Sequence, residues 1–102
     1  MAFDGSEGSS ISLSTASGMT ASWRSNHSRD PKAIFIGRDL IDTILGQTDC
    51  QGIRVYFGED AVGAMQIIMV GADSDENDII GTIADGGLPC PTRCSEANDL
   101  NS

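Results

Sequence analysis

The residues that could do chemistry in this 102-residue chain are few: three cysteines, one histidine and an acidic run. Cys90-Pro91-Thr92-Arg93-Cys94 brings two thiols close together, with Cys50 forty positions upstream. With His27 they would make up a Cys3His zinc set, but structural zinc sites favour two close knuckles and one pair here is close. Thioredoxin-type redox chemistry needs Cys-x-x-Cys at a helix N-terminus after a strand; this spacing is one residue longer and lies in a Pro-flanked tail. The residues favour a structural disulfide, joining Cys90 to Cys94 or Cys50 to one of them, in an oxidising compartment. Such a bond would pin the tail, leaving the odd cysteine free or joined to another chain.

Asp73-Ser74-Asp75-Glu76-Asn77-Asp78 presents side-chain oxygens at alternate positions. An EF-hand loop also needs Gly at its sixth place and a bidentate Glu at its twelfth. Asp78 and Ala84 occupy those places, so that loop is excluded. A turn-type calcium site on Asp73, Asp75 and Asn77 is the one metal candidate, set against a solvated hairpin turn, for which Asp and Asn are usual. No other cofactor is implied. Asn26-His27-Ser28 fits the N-glycosylation pattern at Asn26, in an expected exposed loop. His27 has no expected acid or thiol partner and reads as a surface histidine.

Catalysis finds little to use. There is no nucleophile beside a base, no Gly-rich phosphate loop followed by a helix, and no carboxylate pair at an apolar site. The chain is therefore expected to be non-enzymatic.

The elements that hold these residues follow from patterning. Residues 1–10 are rich in Gly, Ser and acid and read as a flexible arm. Residues 11–25 admit two readings: a helix capped by Ser12 with Ala16, Met19, Thr20 and Trp23 on one face, or an extended arm, because Ile11-Ser12-Leu13-Ser14 alternates. Ala33-Ile34-Phe35-Ile36 is a short strand ending at Gly37. A compact helix then opens at Arg38 or Asp39, carries Leu40, Ile41, Ile44 and Leu45 on one stripe, and closes at Gly46 in the C′ position. Gly52 to Ile83 is a three-strand meander in which Ile53, Val55 and Phe57 point one way and Arg54 and Tyr56 the other. Ile79 to Ile83 is expected at its edge. The predicted architecture is α+β: an antiparallel sheet of three to four strands with two helices on one face. One domain over 11–88 lies between the arm and a Cys/Pro-containing polar tail at 89–102.

Composition narrows the partners. An aromatic content of 5% allows only a small, central core, and a formal charge of −9 repels polyanions, which argues against nucleic acid. No apolar run reaches the ~20 residues that span a bilayer, so membrane insertion is not expected. The first residues show neither a basic n-region nor an apolar h-region, so no signal peptide is expected, while the cysteine pair leans toward an extracellular setting.

Four stretches carry a resemblance: Ile34-Phe35-Ile36, Asp49-Cys50-Gln51-Gly52-Ile53-Arg54-Val55-Tyr56-Phe57-Gly58, Val70-Gly71-Ala72-Asp73 and Pro89-Cys90-Pro91-Thr92-Arg93-Cys94. Together they resemble a group of small bacterial proteins of the Bacteroidota type, with a Gly-Ile-Arg-aromatic strand and a Cys-Pro-rich tail. The resemblance implies the order helix, strand, helix, strand, acidic turn and tail, and a structural role for the cysteines. It implies no activity. The Ser/Thr-rich first helix departs from that pattern.

The expected function is a structural or interaction protein, a self-assembling, filament-type subunit that exchanges strands or arms with copies of itself. Ile11, Leu13, Ile79 and Ile83 are the candidate assembly residues. The alternative is a metal-binding or thiol-redox module using Cys50, Cys90 and Cys94.

Overall fold

Residues 2–101 are described by a computed structural model. The elements run α1 (Leu13–Asn26), β1 (Ala33–Phe35), α2 (Arg38–Leu45), β2 (Gly52–Glu59), β3 (Met65–Ala72), β4 (Asp78–Ala84) and β5 (Leu88–Cys90). The fold is α+β with two antiparallel sheets, ordered β2-β3-β4 and β1-β5. The chain divides into two compact units. A meander unit holds residues 2–8 and Ile36–Gly87, and a ribbon unit holds Ser9–Phe35 and residues 88–101.

In the meander unit α2 is the helix packed on the sheet. Leu40, Ile41 and Ile44 reach Met69 and Ala84, with Ile36, Cys50, Ile53 and Ile67 around them. Leu45, expected to complete the stripe, is exposed. Gly46 is not left-handed: it keeps φ −78, and a Cβ there would meet Asp42 O at 3.2 Å. The left-handed residue comes later, at Asp49 (φ 60), which an Asp side chain tolerates.

Helix length decides how much of the sheet is covered. An eight-residue helix is about 12 Å long, whereas an eight-residue strand runs about 26 Å. The odd-numbered side chains of β2 share one face as expected. Ile53 packs on the core cluster, but Val55 and Phe57 are exposed, as two strands of that length outrun so short a helix.

Residues 3–7, expected to be a free arm, are drawn onto this unit. The Glu7 carboxylate accepts the Asp4 and Gly5 N–H groups, Phe3 N donates to Ser74 O at 3.0 Å, and the Arg54 guanidinium lies 5.5 Å from the Phe3 ring centre.

In the ribbon unit the helical reading of residues 11–25 prevails from Leu13. The Ser12 hydroxyl accepts from Thr15 N, and the Trp23 indole donates to Pro31 O at 2.9 Å. These bonds supply what the Ser/Thr-rich sequence lacks in propensity, although α1 buries no residue and Met19 is exposed. α1, expected to pack on the meander, belongs to this unit instead. Leu88–Cys90, expected within or at the start of a polar tail, is a strand in register with β1, pairing Ala33 with Cys90, Ile34 with Pro89 and Phe35 with Leu88. Proline is tolerated there because both strands of a two-stranded ribbon are edges.

Candidate functional site

The cysteines resolve first. Cys90 and Cys94 form a disulfide, and Cys50 is free. The structural disulfide takes the first of the expected pairings, Cys50 is the odd cysteine left free, and it belongs to the meander unit. The Cys50 thiol donates to Gly52 O at 3.3 Å and packs in the core cluster.

The acidic run folds as a turn tied to its surroundings. Asp73 Oδ1 accepts from Asp75 N and Asn77 N, and Asp73 N donates to Asn77 O at 2.9 Å. Ser74 donates through both its N–H and its hydroxyl to Asp49, and these two bonds hold the Asp49 carboxyl below the usual carboxylate range. Among the described residues no group of three or more His, Cys, Asp or Glu side chains gathers as a metal set.

Two clusters escaped the sequence reading. His27 does have an acid partner: its Nδ1 lies 3.2 Å from Asp30 Oδ2, and its ring stacks on Trp23 with centres 3.7 Å apart. The i,i+3 spacing of His27 and Asp30 was the available signal. Asn26 ends α1 rather than lying in a loop; its side-chain amide donates to Ser22 O, and it is exposed.

The second cluster joins three strands' worth of sheet. Asp78, opening β4, accepts from Arg54 Nη1 and from the Tyr56 hydroxyl, both on β2, while Arg54 Nη2 donates to Glu76 O at 3.2 Å. Donation from Tyr56, then from Arg54, holds the Asp78 carboxyl below its ordinary value; the same bond to Asp78 raises the Tyr56 phenol. A depressed carboxyl stabilises the fold above the unfolded value of about 4, and that stabilisation is lost as pH falls through the folded value. The raised phenol contributes below about pH 10 and is lost as pH climbs above it. Urea melts from pH 2 to 7 should therefore show wild type more stable than Asp78→Asn near neutrality, with the two converging in acid. A gap that stays constant with pH would contradict this role.

The assembly candidates are now placed. Ile11 and Leu13 are exposed, but Leu13 opens α1, so no extended segment runs through it. Ile79 is half-buried and Ile83 exposed on β4, which is an edge as expected. That edge is broken, however. β3 pairs Val70 with Ile83 and Gly71 with Ile79, leaving Ile80, Gly81 and Thr82 as a bulge without Cα partners. The bulge follows the core: a Cβ on Gly81 would meet Gln47 Oε1 at 3.2 Å.

The opposite edge is different. β2 pairs with β3 in unbroken register from Gly52–Ala72 to Glu59–Met65. Its outer side is unpaired in the sheet order, and Phe57 on it is 78% exposed. Sequence reasoning missed this edge because it could order the strands but could not locate a bulge.

No protein-family model, curated protein or solved structure matches this chain. The functional reading therefore rests on its own geometry. No helix of the described residues is long and apolar enough to cross a membrane.

Proposed function

We propose that this chain is a non-enzymatic interaction protein that assembles with copies of itself by strand addition to the meander sheet. The observation that carries this reading is the outer side of β2, unpaired in the sheet order, in regular register over eight residues and carrying exposed Val55, Tyr56 and Phe57. In an antiparallel edge strand alternate residues turn their N–H and C=O groups outward, a template for another extended backbone.

Charge sets the conditions. The ribbon unit balances Arg24, Arg29, Lys32 and Arg93 against Asp30, Glu96 and Asp99, leaving twelve acids against Arg38 and Arg54 in the meander unit. Contact between two meander units is therefore contact between like charges, which added salt screens. Light scattering on a sizing column, with negative-stain microscopy, should show species heavier than the 10.7 kDa chain that grow with protein concentration and with salt. A monomer under every condition would overturn the proposal.

A further inference from the structure

We infer that the partner strand is β2 of a second copy, paired antiparallel about a two-fold axis, so that two three-stranded sheets join into one continuous sheet. This inference rests on the self-assembly reading above and specifies its contact.

The first support is that the outer edge of β2 is unblunted from Val55 onward among the described residues, while Phe3, Gly5 and Glu7 stand beside its first residues, Gly52 to Arg54. Natural edges are protected by bulges, prolines or lysines, and β2 has none of these. Its long even-numbered side chains, Arg54 and Tyr56, could otherwise screen the backbone. Both are drawn inward, across β3, to the Asp78 carboxylate on β4. The network that fastens the sheet thus also clears the edge. β4 presents the contrast, with three residues out of register and Ile80 74% exposed on its bulge.

The second support is self-complementarity. A two-fold axis perpendicular to the sheet keeps each face continuous, so residues of like parity lie opposite each other. Centring the axis on Tyr56 sets Val55 opposite Phe57 of the second copy, and Phe57 opposite its Val55. These side chains lie on the face that the short α2 leaves uncovered, 43% and 78% exposed in the single chain. Aromatic and β-branched residues paired across strands are a favoured combination. Arg54 falls opposite Gly58, so no like charges meet directly within the ladder. Because each meander sheet has one edge in unbroken register, the pairing consumes it and the sheets close as a dimer rather than extending as a filament.

The test uses the full chain with its disulfide intact. Sedimentation equilibrium at low and high salt is run on wild type, on Phe57→Lys in β2 and on Ile80→Lys in the β4 bulge, with circular dichroism to confirm folding. Wild type should form a dimer that tightens with salt. Phe57→Lys should weaken it at least about 30-fold, since the two-fold repeats each lost contact, whereas Ile80→Lys should leave it unchanged. Hydrogen exchange on wild type supplies a readout that needs no variant: amide protection across Ile53 to Phe57 should rise with protein concentration. Wild-type polymers, a dimer that survives in folded Phe57→Lys, loss of association in Ile80→Lys, or association that weakens with salt would each overturn the β2 pairing while leaving self-assembly standing. Exchange at Ile53 to Phe57 that is independent of concentration while the protein associates would do the same. A wild-type monomer throughout would overturn both.

Discussion

Ile44→Ala is expected to remove a large part of the folding stability of the meander unit. Ile44 is fully buried and is the largest side chain so placed, at the centre of contacts to Met69 and Ala84. Truncating a buried Ile costs about 2–5 kcal/mol, from lost transfer energy and from a cavity that the surroundings refill only in part. Here refilling is limited, because the neighbours come from a two-turn helix and a sheet whose hydrogen bonds fix its position. A domain of this size has roughly 5–15 kcal/mol in total. Urea unfolding followed by far-UV circular dichroism should therefore show a large fall in midpoint, with unfolded protein detectable without denaturant. Leu45→Ala, one position along the same helix but exposed, should lie within about 0.5 kcal/mol of wild type. Equal midpoints for the two variants would mean that the core is not where the structure puts it.

Gly71→Ala is expected to destabilise by overpacking. A Cβ at Gly71 would sit 2.8 Å from Cys50 Sγ, 3.1 Å from Gln47 Nε2 and 3.4 Å from Ile44 Cγ2. None of these atoms yields easily. The Cys50 sulfur is close to its own backbone, Gln47 Nε2 is committed to Ile44 O at 3.0 Å, and Ile44 is the core itself. Adding a methyl to such a site costs about 1–3 kcal/mol. The cause can be separated from any general intolerance at the bulge beside Gly71 by a double-mutant cycle. Cys50→Ala removes the sulfur that the new methyl would strike, so Gly71→Ala/Cys50→Ala should be less destabilised than the sum of the single changes. Strict additivity in urea melts would show that the Cys50 contact is not the source. This close approach also gives Cys50 a packing role.

The proposed assembly places its contact on β2, where two features of the fold meet. Asp78 ties Arg54 and Tyr56 down on one face, while on the other α2 stops short and leaves Val55 and Phe57 uncovered. An exposed aromatic on an open sheet edge is an aggregation hazard unless a defined partner fills it. The proposed two-fold contact would remove that hazard.

The α+β class, the order of elements around the meander and the compact helix from Arg38 were legible in the sequence, and Cys90–Cys94 was one of the pairings it left open. These are local or nearly local matters: period-two alternation, an apolar stripe, turn residues and two thiols close in sequence. Other features depended on contacts distant in sequence. Whether Leu88–Cys90 was tail or strand depended on β1, more than fifty residues away. Whether Asp78 had partners depended on the register that sets β4 against β2, which side-chain types do not encode, whereas the His27–Asp30 pair was signalled by its i,i+3 spacing. The same limit governed the edges. Strand order could be read from β-prone runs and turns, so an edge was expected at Ile79 to Ile83. The shift between Val70 and Gly71 falls beside Gly81, where a Cβ would meet Gln47 Oε1 just beyond α2, and it leaves β2 as the meander's edge in unbroken register.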